Sequence, residues 1–164
     1  MKKIFFPKYF FLEKKIKLRV QNAVAAIIIV DKKQILLQKR DFKKNIWYPG
    51  FWGLFGGAVN KRESETSALK RELKEEINWA PKKIKFFFEQ TFNFKESKKT
   101  NNNISYRKFY VVHMSNKEYK KIVLHEGKSF KAVCFESILS KYLLTPYDSF
   151  AIFLYLNKNN ILHN

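Results

Sequence analysis

Three features of the sequence predict an α/β fold. Two β-branched, apolar runs flank a short polar turn at Asp31 to Lys33. One stretch of helical periodicity, Ser64 to Ile77, stands apart from them. Further aromatic and β-branched runs follow it and lead to an apolar helical segment near the C-terminal end. Strand-like and helix-like segments so mixed are the pattern of a sheet covered by helices.

Residues 1–19 read as an N-terminal extension with poor periodicity, and residues 20–160 as one domain, which suits a chain of 164 residues. The first residues begin as a signal peptide does, with two lysines and then aromatics. Pro7, Lys8, Glu13, Lys14 and Lys15 interrupt them, and no small-residue cleavage site follows. The longest clean apolar run, Ala23 to Val30, is far below the roughly 20 residues that span a bilayer. A cytoplasmic protein without a membrane segment is the expectation, and the single cysteine, Cys134, fits a reducing compartment.

The runs NAVAAIIIV and QILLQKR around the DKK turn predict a β-hairpin. A loop from Asp41 leads into a short strand ending at Gly57, with Trp52 and Phe55 as core residues. Leu69, Leu73 and Ile77 recur every four residues and define one buried helix side. Ser64 suits the N-cap and Glu65 the first turn, while Asn78 suits the C-terminal cap and Pro81 prevents continuation. Strands are expected over Lys83 to Phe94, Ile104 to Met114 and Phe130 to Glu136. Helices are expected near Ser137 to Leu143 and over Tyr147 to Asn157.

The net charge of +19 raises the possibility of a polyanionic partner such as RNA. Only five of the 33 basic residues are arginine, the side chain whose fork reads bases and phosphates. Lysine, asparagine, isoleucine and phenylalanine are all abundant and share AT-rich codons, so genome bias accounts for much of the charge.

Three acids, Glu72, Glu75 and Glu76, crowd one face of the helix although such pairs repel by roughly 0.2–0.5 kcal/mol each. Alone, the string RELKEE also reads as a solvated surface face. A hard divalent cation, which prefers carboxylate oxygen, would justify the crowding. Spacing decides between the readings: after Gly57 come five residues, Glu63, seven residues, then Arg71-Glu72-Leu73-Lys74-Glu75-Glu76-Ile77-Asn78-Trp79. This resembles the signature of the Nudix hydrolases, Gly-x5-Glu-x7-Arg-Glu-apolar-x-Glu-Glu-x-Gly-apolar, with Asn78 in place of the final glycine.

The resemblance implies a Nudix-type α/β/α sandwich with a mixed β-sheet. It implies hydrolysis of a pyrophosphate bond in a nucleoside diphosphate linked to another moiety, such as a nucleoside triphosphate, sugar nucleotide or dinucleotide. Mg²⁺ is the implied cofactor, with Mn²⁺ a substitute, held by Glu72, Glu75 and Glu76 with Glu63 and the Gly56 carbonyl assisting. Arg71 would orient the carboxylates. Glu72, Glu75 or the loop acid Glu126 would take the proton from water, with Glu89 as a second candidate distant acid. Trp47, Tyr48 and Phe51, with Arg40, would bind the substrate, and the loop Thr145 to Phe150 would add base contacts. The alternatives of other classes are an RNA 5′-end pyrophosphohydrolase and a non-catalytic nucleotide sensor, and the assembly is a monomer or homodimer. His113 reads as a packed or edge histidine, His125 equally as a loop residue or one that approaches phosphate, and His163 as a tail residue. No motif offers a covalent nucleophile, so water is the expected attacker.

Overall fold

The computed structural model describes residues 21–43, 46–93 and 104–162. The expected extension, the polar loop 95–103 and His163 lie outside the described residues. Strands β1 (Ala23–Val30) and β2 (Gln34–Lys39) form the expected hairpin. Its turn sets Asp31 and Lys32 at positive φ, the backbone that matches the twist of paired strands. Then come β3 (Trp52–Gly53), α1 (Glu65–Ile77), β4 (Lys85–Asn93) and β5 (Ile104–Met114). The chain closes with α2 (Asn116–Tyr119), β6 (Ser129–Cys134), α3 (Phe135–Lys141), α4 (Pro146–Leu156) and α5 (Lys158–Leu162).

The six strands make one mixed sheet in the order β3-β2-β1-β5-β4, with β6 on β2. β1 and β5 run parallel, and the other pairs are antiparallel. β1 touches β2 only beside the turn, at Ile29↔Ile35 and Val30↔Gln34. Beyond that point the two strands part, and the segment after β3 fills the gap. It bonds to β1 through Ala26 N–H to the Phe55 carbonyl and Val24 N–H to the Gly57 carbonyl, both at 2.9 Å. The split brings the glycine turn to the middle of the sheet, under α1.

Because both faces of β1 are covered, its sequence is apolar at every position rather than alternating. Val24, Ala26, Ile28 and Val30 pack with Leu69, Leu73 and Ile77 of α1. Ala25, Ile27 and Ile29 pack on the other face with Ile138 of α3 and Ala151 and Ile152 of α4. That is the three-layer sandwich. Among the described residues no helix is long and apolar enough to cross a membrane.

Most elements lie where the sequence places them, with shifts of a residue or two at their ends. The third predicted strand stops at Cys134, because α3 starts at Phe135, ahead of its expected Ser137. The short helices α2 and α5 were not anticipated; α2 is a single turn set by a capping box between Ser115 and Glu118. His113 is exposed near the end of β5, the edge position among the two expected for it.

Both caps of α1 are as expected. Ser64 Oγ accepts from Ser67 N–H at 3.2 Å. Asn78 takes the left-handed conformation, φ 50 and ψ 36, and its N–H returns to the Leu73 and Lys74 carbonyls. Asn78→Gly should leave stability within a few tenths of a kcal/mol, while Asn78→Ala should cost about 1 kcal/mol. Urea midpoints of the two variants check this. Equal midpoints would mean that the left-handed cap contributes nothing.

Candidate active site

The site begins at the glycine turn. Gly56 sits at φ +133, and a Cβ there would run into the Val24 carbonyl and stand 2.8 Å from Ala25 Cα. Only glycine lets the chain press this closely onto β1. A Cβ on Gly57 would collide with the Glu72 carboxylate, so the absence of a side chain makes the seat for that acid.

Above the turn, one face of α1 carries Arg71, Glu72, Glu75 and Glu76. Arg71 uses every N–H of its guanidinium. Nε and Nη2 grip both oxygens of Glu63 at 2.9 and 3.0 Å. Nη1 bonds Glu72 Oε1 at 2.7 Å and Glu75 Oε2 at 3.1 Å. The second Nη2 proton reaches the Ala58 carbonyl at 2.9 Å. The two-pronged grip on Glu63 uses the planar fork that a lysine lacks. Glu63 also accepts from Asn60 N–H at 3.1 Å, and these bonds, Arg71 first, hold its pKa below the usual range. Arg71 thus ties the loop after Gly57 to the helix and neutralises part of the crowded charge.

Glu76 points inward. It is 6% exposed, and its two oxygens accept from Gln38 Nε2 at 2.9 Å and Gly56 N–H at 2.8 Å. Burial pushes its pKa up to about 7, against those two bonds and with help from the charges of Glu72 and Glu126. Burial is also the largest cause raising Glu72, with Glu75 and Glu126 adding to it. Glu126 therefore belongs to the same electrostatic cluster. Its loop is pinned on both sides, by His125 N–H to the Glu76 carbonyl and Lys128 N–H to the Lys39 carbonyl, both 2.8 Å. Among the described residues, no three His, Cys, Asp or Glu side chains are already set around one point as a metal cage. The acids converge on the turn, but protein donors hold them.

The residues expected to bind substrate lie together, next to α4. Arg40 Nε donates to the Trp47 carbonyl at 2.7 Å, and Arg40 N–H to the Phe51 carbonyl at 2.8 Å. The Tyr48 ring lies 5.5 Å from Phe51 and 5.7 Å, edge-on, from Tyr147 of α4. Phe51 is 2% exposed, so its ring backs this wall rather than offering an open face. Glu89 lies instead on β4 beside Lys108, 3.6 Å away, in a group with Glu65 and Tyr106 that anchors the first turn of α1.

Two polar residues that place the site were not foreseen. Asp148 is 1% exposed and accepts from Leu54 N–H at 3.0 Å, Thr145 Oγ1 at 2.8 Å and Arg107 Nη2 at 3.2 Å. It fixes the strand that enters the glycine turn. Gln38 holds Glu76 from β2; its one sequence signal is a polar residue in register with the inward-facing Leu36.

Residues 19–149 match the NUDIX domain family. A 60-residue stretch is 42% identical to the 8-oxo-dGTP diphosphatase of Buchnera aphidicola subsp. Acyrthosiphon pisum (strain APS), over 36% of this chain and 44% of that protein. That match spans less than half of the relative's own length. The fold aligns with the MutT protein from Methanosarcina mazei Go1 at TM-score 0.68 and 22% identity, over 85% of this chain and 94% of that one. It aligns with the NUDIX domain of Shewanella oneidensis NrtR, solved with ADP ribose, at TM-score 0.64 and 20% identity, over 88% of this chain and 90% of that one.

Glu76 sets a pH dependence of stability. Its folded pKa of about 7 exceeds the ordinary 4.5, so between those values the folded state binds the extra proton. The stability this proton provides is complete below about 4.5 and is lost as pH rises through 7. Without added metal, unfolding free energy should fall by on the order of 1–3 kcal/mol between pH 5 and pH 8. Glu76→Gln should flatten that slope. Parallel pH profiles of the urea midpoint for the two proteins would contradict the assignment.

Proposed function

The chain belongs to the Nudix hydrolase family, and on that premise we propose that it hydrolyses the pyrophosphate bond of a small nucleotide at the Glu63–Arg71–Glu76 cluster. The observation that carries the proposal is the fully engaged Arg71, which fixes Glu63, Glu72 and Glu75 over Gly57 while Glu76 lies buried behind them.

Nudix enzymes generally use divalent metal ions. The residues present fit one. They supply hard carboxylate oxygens; burial, with the repulsion of neighbouring acids added to it, raises Glu72 and Glu76, and a cation would offset both. Mg²⁺ suits such oxygens, keeps several of its waters and shares its shell with substrate phosphates. Glu72, Glu75 and Glu76 would hold it, with Glu63 and the Gly56 carbonyl assisting. When bound there, the ion supplies charge neutralisation on the diphosphate and acidifies water.

This chain's own residues do the rest. Arg71 keeps the acids from splaying apart. Glu126, on its pinned loop, accepts the proton of the water that attacks phosphorus, and the phosphoanhydride P–O bond breaks to leave two phosphate products. Trp47, Tyr48 and Arg40, backed by Phe51, receive the nucleoside. The Buchnera relative's name points to a purine nucleoside triphosphate as the first substrate to test. The charge of +19 favours a second reading, removal of pyrophosphate from an RNA 5′ end.

A panel of nucleoside triphosphates, sugar nucleotides, dinucleotides and 5′-triphosphorylated RNA, assayed with Mg²⁺ across a salt series, tests the proposal. Small nucleotides should be cleaved best, with little salt dependence. Glu75→Gln should lower kcat at least about a hundredfold, and Glu126→Gln should lower kcat more than it raises KM. Glu136→Gln on α3 serves as the control. Preferred RNA turnover with a steep loss in salt would favour the second reading. Full activity in both site variants would remove this site from the chemistry.

A further inference from the structure

Gln38 stands where three parts of the site meet. Its Nε2 donates to Glu76 Oε1 at 2.9 Å and to the Leu54 carbonyl at 3.3 Å. Its Oε1 lies against the loop of Glu126: a Cβ on Gly127 would stand 3.0 Å from it and 3.1 Å from the Lys39 carbonyl. One amide thus touches the helix acid, the strand into the glycine turn and the loop acid's neighbour. Gln38 is 5% exposed, in a strand paired on both sides, with Gly53 of β3 and Phe130 of β6. Such a residue cannot swing away.

The chemistry of the amide matters as much as its place. Arg71 holds its acids with a positive charge, which offsets part of their pull on a cation. A carboxamide is neutral, so it orients Glu76 and leaves the full negative charge available. Its donor fixes one carboxylate oxygen while Gly56 N–H fixes the other. The Leu54 peptide is held at both ends in turn, its carbonyl by Gln38 and its N–H by Asp148. A merely space-filling glutamine would have no reason to join these three segments.

We propose that Gln38 is a positioning residue for the reaction: it sets the orientation of Glu76 and seats Gly127 so that Glu126 meets the α1 acids at a fixed distance. The inference rests on the acids being a divalent-cation site. Outer partners of metal-binding groups typically change affinity or activity by about 10–100-fold when removed.

Gln38→Met keeps the length and loses the donor. Mn²⁺ binding is measured directly by water-proton relaxation, alongside circular dichroism to confirm the fold. About tenfold weaker Mn²⁺ binding is expected, with kcat reduced by a similar factor and nucleotide KM, at saturating metal, within about twofold. A folded variant that binds Mn²⁺ as wild type does and keeps its kcat would overturn the inference. If the wild type binds no Mn²⁺, the reading of the acids fails, and the inference with it. If Gln38→Met does not fold, the side-chain amide of Gln38 in the wild type decides by nuclear magnetic resonance. Slow exchange with solvent and a shift on adding Mg²⁺ are expected. An amide that exchanges freely and does not respond to Mg²⁺ would overturn the inference.

Discussion

Like charges crowded on one helix face must be neutralised or the helix loses stability, and Arg71 is the group that meets this constraint. Each i, i+3 or i, i+4 acid pair costs roughly 0.2–0.5 kcal/mol, while burying Leu69, Leu73 and Ile77 returns about 1.5–3 kcal/mol apiece. The helix can therefore carry the acids. Their direction is a separate matter, and the guanidinium settles it by spending all its donors on Glu63, Glu72, Glu75 and the Ala58 carbonyl. The loop from Gly57 to Ser64 is fixed by the same group.

The sheet contributes the other half of the geometry. Because β1 and β2 part after two residue pairs, the segment from β3 to Ala58 enters the gap and turns at Gly56 beneath α1. Glu76 reaches down to that turn and Gln38 reaches across to Glu76. Asp148, from α4 on the opposite layer, holds the peptide of Leu54. Elements distant in sequence, at positions 38, 54, 76 and 148, thus converge on one strand entry. A change in any of them would be felt at the Glu76 carboxylate through at most three hydrogen bonds.

Much of this was legible in the sequence because it is local. The spacing from Gly57 to Trp79, both caps of α1 and its Leu69–Leu73–Ile77 side depend on neighbours within a few turns, and the structure bears them out. The double burial of β1 was visible as an unbroken apolar run. Residues joined by tertiary contact were not legible. Asp148 looks like an ordinary acid in the first turn of a helix, and nothing in its surroundings signals that it is buried. Gln38 differs from a surface glutamine only by its register in β2. The sequence groups Phe51 with Trp47 and Tyr48 of its loop, which are half-buried, but the bond of Arg40 N–H to the Phe51 carbonyl accompanies its full burial. Glu126 had only its place before β6 to mark it, and the two backbone bonds beside it show how that place becomes a position.

The central claim is that the crowded acids are a cation site formed over the glycine turn. The most direct measurement is an anomalous difference map from crystals of the protein grown with Mn²⁺ and a non-hydrolysable nucleotide. The account expects a peak within bonding distance of carboxylates from Glu72, Glu75 or Glu76 and beside the Gly56 carbonyl, with phosphate oxygens completing its shell. A map with strong nucleotide density but no peak there, the acids still paired only to Arg71 and Gln38, would contradict it.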